Sequence, residues 1–296
     1  MQNRIDEFSP LRVTFYTTCA LIAFAGNSVL CRLALGGGAI DAASFTCIRL
    51  LAGALVLALL LKCAGRKAAG GQRGSWASAA ALFCYAAAFS FAYLTLSTGT
   101  GALILFGAVQ LTMILAALVS GERLKRSEGA GVCLAFGGLV YLVFPGVSAP
   151  SWSGSLLMAG AGIAWGIYCL RGRRAATPLV ETTFNFVLSL PFVAILALCF
   201  YKGSHCSATG VLLAVVSGGL ASGVGYAVWY AALKGMTATR ASIVQLAVPL
   251  LAALGGALFL AEGISLRLVM AAAAILGGVA LAVAGRNGSA VTRPSG

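Results

Sequence analysis

Apolar positions along this chain fall into ten long runs separated by short polar breaks. Each run is about 20 residues, the length an α-helix needs to cross a hydrocarbon core. The runs lack the strict apolar/polar alternation of a half-buried strand. The pattern predicts helices at 11–33, 41–62, 75–97, 100–120, 127–145, 153–171, 180–201, 208–232, 238–260 and 266–285. The breaks at Ser97–Thr100 and Pro145–Ser153 leave room only for tight hairpins between antiparallel neighbours.

The polar breaks alternate in charge, and this orients the runs. Arg4, Arg12, Lys62, Arg66, Lys67, Arg73, Arg123, Lys125, Arg126, Arg171, Arg173, Arg174, Lys234, Arg240, Arg286 and Arg293 all fall on one side of the ladder. Of the 20 Lys and Arg residues, only Arg32, Arg49, Lys202 and Arg267 lie on or toward the other. Short basic loops mark the cytoplasmic side of a membrane protein. Both chain ends are therefore expected in the cytoplasm, with an even number of spans.

Composition agrees with lipid as the solvent. The chain is 60% hydrophobic and 9% charged, against roughly a quarter charged in soluble domains. Only helices and closed barrels satisfy their backbone groups in lipid, so the expectation is an all-α membrane protein without a sizeable soluble domain. The net charge of +13 is accounted for by the orienting loops, and nucleic acid is not expected as a partner. Nine cysteines stand apart without metal-ligand spacing and read as small apolar packers with free thiols. Asp6 and Glu7 precede the first run without a clear cleavage site, so no cleaved leader is expected.

The chain also repeats itself. Gly101–Leu111 (GALILFGAVQL) aligns with Arg240–Leu250 (RASIVQLAVPL), and Glu122 and Glu262 follow at the helix ends. Gly137-Gly138 matches Gly277-Gly278, and Phe24–Asn27 corresponds to Trp165–Tyr168. Each half has five predicted spans. Five is odd, so the second copy enters the membrane upside down. Inverted repeats hold a solute near the midplane and expose it to each side in turn. The expected architecture is ten transmembrane helices as two inverted five-helix repeats, residues 1–148 and 149–296.

The stretch TGTGALILFGAVQLTMILAALVSGERLKRSEGAGVCLAFGGLVYLV and its counterpart ATRASIVQLAVPLLAALGGALFLAEGISLRLVMAAAAILGGVALAV resemble the helix pair that closes each repeat of the drug/metabolite transporter superfamily, EamA type. The openings FAGNSVLCRLAL and GSLLMAGAGIAWGIYCLRGRR are similar to its repeat starts. The resemblance covers nearly the whole chain. It implies a ten-helix carrier of metabolites, often outward, in a bacterial inner membrane. It leaves the substrate open among amino acids, amines, sugars and nucleotides. Two positions depart from the pattern: Gln110 stands where Pro is usual, as Pro249 does in the second half, and Phe24 stands where Trp is common.

Polar groups inside spans are costly and mark candidate sites. Asn27, Gln110 and Gln245 offer donors and acceptors, or serve as glue between helices. Pro249 is expected to kink the ninth span near its middle. Tyr85, Phe89 and Tyr93 share one helix face by their four-residue spacing. Trp165, Tyr168 and Tyr226 could wall an organic solute. Trp76, Trp152, Trp229 and Tyr230 suit an interfacial belt. Arg49 lies roughly 12 Å inside the outer end of the second span. It either pairs with Asp41, meets a helix terminus, or holds a carboxylate. Arg32 is expected to snorkel. Glu122 and Glu262 are expected to pair with a base or cap a helix. No carboxylate lies deep in a span, so the expectation is facilitated or exchange transport, or coupling through something other than a buried acid. The small residues of spans six and eight, Gly160, Gly162, Gly166, Gly218, Gly219, Ser222, Gly223 and Gly225, read as sliding surfaces.

The single histidine, His205, falls in a loop, and neither HExxH nor a deep aspartate pair occurs. Enzyme chemistry therefore lacks its residues. A channel would need a charged ring or filter loop. The expectation is an exporter of small organic metabolites, amino acids or related compounds, with amines or lipophilic cations as the rival class. Its partners are a small-molecule substrate and membrane lipid, with a monomer as the simplest state and no cofactor or metal.

Overall fold

A computed structural model describes residues 9–65, 74–121, 126–146, 149–172, 175, 177–236, 241 and 244–287. The helices are α1 Pro10–Gly36, α2 Ala42–Cys63, α3 Trp76–Ala92, α4 Thr98–Val119, α5 Arg126–Val143, α6 Trp152–Gly172, α7 Pro178–Phe200, α8 Ala208–Leu233, α9 Ala247–Leu260 and α10 Leu266–Asn287. Seven of them (α1, α2, α4, α6, α7, α8, α10) are long and apolar enough to cross a bilayer, and α3 and α9 are shorter apolar helices.

Their starts are written in the sequence. Pro10 and Pro178 open α1 and α7, where a missing N–H costs nothing. Asp41, Ser75 and Ser207 cap α2, α3 and α8 by accepting from Ser44 N–H, Ser78 N–H and Gly210 N–H. The outer surface inverts the rule for soluble proteins. Leu11, Val119, Leu198 and Leu258 are each more than three-quarters exposed, as side chains facing lipid would be.

Three predicted elements differ from those observed. Helix α3 stops at Ala92, five residues short of the predicted end. Residues Tyr93–Ser97 form a turn instead, and the Tyr93 hydroxyl donates to Thr98 O across it at 3.2 Å. The ninth run does not continue through Pro249. The helix breaks in a turn at Leu246, and Pro249 falls in the first turn of α9, where the ring is tolerated. Proline leaves the Gln245 carbonyl without its usual donor. Lastly, α8 widens into a π-helix over Ser217–Val224.

Helix α5 packs along α10, α6 lies against α3 and α4, and α2 lies against α7 and the π segment. Gly131 and Gly278 meet backbone to backbone where α5 crosses α10. Gly218 lies so close to the Arg49 backbone that any side chain there would collide. That contact seats the π segment on the helix that carries Arg49.

Candidate functional site

The centre of the bundle is a chain of aromatic rings. Trp165 of α6 is half-buried and touches three others. It stacks on Tyr168 at 5.2 Å and 20°, stacks on Tyr226 of α8 at 5.2 Å and 27°, and meets Tyr85 of α3 at 4.8 Å and 42°. Tyr85 continues to Phe89, and Phe89 to Tyr93. The four-residue spacing therefore does put Tyr85 and Phe89 of α3 and Tyr93 at its C-cap on one buried face. Phe24 of α1 joins Tyr226 and Trp229. Trp229 is 8% exposed, so it does not belong to an interfacial belt. Trp76 and Trp152, the first residues of α3 and α6, are 58% and 63% exposed.

Arg49 is inserted into this cluster and is 2% exposed. Its Nη2 donates to the Tyr85 hydroxyl at 3.0 Å. Its guanidinium carbon lies over the Phe89 ring at 4.9 Å and the Tyr85 ring at 5.3 Å. Its Nη1 is buried and has no partner. A charged side chain at the middle of a span costs about 2.5–3.5 kcal/mol on insertion scales. One charge-assisted hydrogen bond, about 1.5–3 kcal/mol, and two ring faces offset much of that. They leave one donor arm unused. Pairing with Asp41 does not occur. Asp41 accepts from Ser44 N–H and His205 N–H at 2.9 Å and 3.0 Å and belongs to the helix cap.

The amides have separate fates. Asn27 is buried in α1, and its Oδ1 accepts from Ser217 Oγ at 2.6 Å, tying α1 to the π segment. Gln110 is buried in α4 and Gln245 is half-buried. Neither side chain hydrogen-bonds to a described residue. The structure thus gathers Arg49, Tyr85, Trp165, Tyr168 and Tyr226 into one contiguous cluster. Asn27 sits one turn of α1 from Phe24 at its edge, and Gln110 and Gln245 lie outside the ring contacts.

The two ends of the bundle differ. At the end of α1, Arg32 does not snorkel. Its Nε donates to Glu262 Oε1 at 3.2 Å and its Nη1 to Tyr93 O at 2.9 Å. Glu262 Oε2 accepts from Thr98 N–H at 2.7 Å, capping α4. At the opposite end a small open cleft, with about 20 Å³ of room, on the order of one water, lies between Ser78, Arg171, Glu181, Thr182, Asn185 and Tyr230. Tyr168 lines it one turn from Trp165. The expected role of Glu122 concerns a residue outside those described. Among the described residues no three His, Cys, Asp or Glu side chains cluster as metal ligands.

Sequence reasoning did not find Ser217 or the π segment, although the run Gly218, Gly219, Gly223, Gly225 was its visible trace. It also did not pair Arg32 with Glu262, because the two are 230 residues apart.

Comparison with known proteins places this arrangement. The family model described as the EamA-like transporter family matches residues 5–144 and again 152–284. An uncharacterized protein of Pseudomonas aeruginosa is 53% identical over 279 residues, covering 94% of this chain and 97% of its own. An uncharacterized transporter of Archaeoglobus fulgidus is 29% identical over 196 residues, covering 64% of this chain and 68% of its own. A crystal structure at 22% identity superposes with a TM-score of 0.64, covering 93% of this chain and 98% of that one, and shows a shared fold.

Proposed function

Because the chain belongs to the EamA-like transporter family, we propose that it is an alternating-access carrier exporting small organic metabolites, amino acids and related compounds foremost. The observation that carries this reading is the inequality of the two ends. The Arg32 end is closed by an ion pair and a helix cap joining α1, α4 and Glu262. The Arg171 end holds the cleft that reaches Tyr168. By the charge pattern the Arg32 end is the outer one and the Arg171 end the cytoplasmic one. A solute entering from the cytoplasm would meet Tyr168 first, then Trp165, then Arg49.

In this reading the chain crosses a bacterial inner membrane ten times, as two inverted five-helix units with both ends in the cytoplasm. The mutually stacked rings at the centre oppose a continuous pore and so favour a carrier over a channel. Their faces also support a second reading, export of amines or lipophilic cations. The charge of Arg49 among them opposes it.

Purified protein in sealed vesicles tests the carrier reading. Saturable uptake with counterflow is expected. Unsaturated conductance would make it a channel, and no flux of any metabolite class would leave an assembly role. Tags on the two chain ends should report the same compartment; opposite compartments would refute the inverted arrangement.

A further inference from the structure

We infer that the anchor of the transported solute is a carboxylate, bound by the free Nη1 arm of Arg49 beside the Tyr85 hydroxyl, and that an ammonium group on the solute is dispensable. The inference rests on the carrier reading and narrows its substrate class.

Three observations converge on Arg49. The guanidinium is 2% exposed, so water does not solvate it. Its Nη1 is buried without a partner, while Nη2 is spent on Tyr85. A buried donor of this strength is under-satisfied, and its complement is an anion. Finally, no carboxylate of the described residues neutralises it. Asp41 is held by two backbone N–H groups, and Glu262 by Arg32 and Thr98. Glu181 lines the far cleft, and Glu128 lies on α5, which does not pack on α2. The positive charge is therefore left for the solute to balance.

Geometry favours a carboxylate over a spherical anion. The free Nη1 N–H and the O–H of Tyr85, whose oxygen already accepts from Nη2, are two donors for the two oxygens of a carboxylate. Trp165, which touches Tyr85, Tyr168 and Tyr226 together, offers an apolar body the adjoining surface once the stack parts. Beside Arg49 no carboxylate of the described residues is placed to pair with an ammonium. The Tyr85 and Phe89 faces nearest Arg49 are already occupied by its own cation.

The test uses three triads of probes on full-length purified protein: phenylalanine, 3-phenylpropionate and phenethylamine; leucine, 4-methylpentanoate and isoamylamine; tryptophan, indole-3-propionate and tryptamine. Thermal shift and competition for counterflow are read for each. In at least one triad both acids should bind, with affinities within about tenfold. The amine should bind about 30-fold or more weaker, as expected when a charge-assisted pair is lost. Arg49→Gln should abolish the acid response, and Arg49→Lys should retain part of it. Should Arg49→Gln not fold, Tyr85→Phe serves: it removes the neighbouring hydroxyl and should weaken both acids alike. The proposal is overturned if the amine of any responding triad equals its acids, if folded Arg49→Gln keeps the acid response, or if all three triads are silent. Saturable counterflow of a solute without a carboxylate would overturn it while leaving the carrier reading intact. Loss of all counterflow would remove the carrier reading itself.

Discussion

Glu262 holds Arg32 with one carboxylate oxygen, at 3.2 Å, and the first amide of α4 with the other, at 2.7 Å. Arg32 in turn reaches the Tyr93 carbonyl that ends α3. A single carboxylate therefore links α1, the α3–α4 turn and the end of α9. The pair is partly exposed, with side chains 23% and 17% accessible. An ion pair of this kind contributes about 1 kcal/mol, and charge at a helix N-terminus about 0.3–1 kcal/mol more. In the proposed alternating cycle, that would be enough to bias one state and small enough to be broken at each turn.

Glu262→Gln should loosen this end. Cys31, adjacent to Arg32 and fully buried, is the reporter. In a background lacking the other cysteines, a membrane-impermeant maleimide should label Cys31 about 5- to 30-fold faster in the variant, the ratio that about 1–2 kcal/mol represents. Equal rates would show that the pair does not hold the end closed.

The repeat register that sets Phe24 opposite Trp165 also sets Arg32 opposite Arg173, and Glu122 is the counterpart of Glu262. Both counterparts lie outside the described residues. If the halves exchange roles, Glu122→Gln should act in the opposite sense. Added to Glu262→Gln, it should slow Cys31 labelling again. Additive acceleration would count against a symmetric cycle.

Asn27→Ala removes the acceptor of Ser217 Oγ inside the bundle. A buried hydroxyl without a partner costs about 1–3 kcal/mol, so the thermal midpoint should fall. Gln110→Ala leaves no such orphan and should barely move it. A drop in transport by Gln110→Ala at unchanged stability would place Gln110 on the solute path. Unchanged transport would assign it to packing.

Trp165→Ala deletes the ring that joins Tyr85, Tyr168 and Tyr226. Each ring pair is worth about 0.5–1.5 kcal/mol beyond burial, so some loss of stability is expected. Trp165→Phe should restore most of that stability. If Trp165 also lines the path, the phenylalanine variant should fold normally yet show a raised KM. Transport indistinguishable from the parent would limit Trp165 to packing.

Asp41 offers a pH test outside the spans. Partial burial pushes its carboxyl up, but hydrogen bonds from Ser44 and His205 outweigh that and hold it below the usual carboxylate range. A depressed folded pKa gives stability that is present above the unfolded value and lost as pH falls through the folded one. Between pH 5 and 8 the thermal midpoint should therefore show no step from Asp41. Asp41→Asn should lower it by an amount equivalent to about 1 kcal/mol, and the difference should shrink only below about pH 4. No difference between the parent and Asp41→Asn at neutral pH would assign the capping energy to another group.

The sequence by itself determined what lipid dictates locally. Runs of about twenty apolar residues must be helices because no other open structure satisfies the backbone in hydrocarbon. Pro10, Asp41, Ser75 and Ser207 set helix starts through their own backbone geometry and short-range bonds. The shared face of Tyr85, Phe89 and Tyr93 follows from helical periodicity alone. What the tertiary structure decided was every pairing between distant segments: Arg32 with Glu262 rather than with water, Asn27 with Ser217, Trp229 inside rather than at an interface, and Arg49 with one arm on Tyr85 and one arm empty. Such choices depend on which faces of separate helices meet. Close-approach glycines such as Gly218, and the π-helical turn at Ser217–Val224, rotate those faces by amounts that no local pattern encodes.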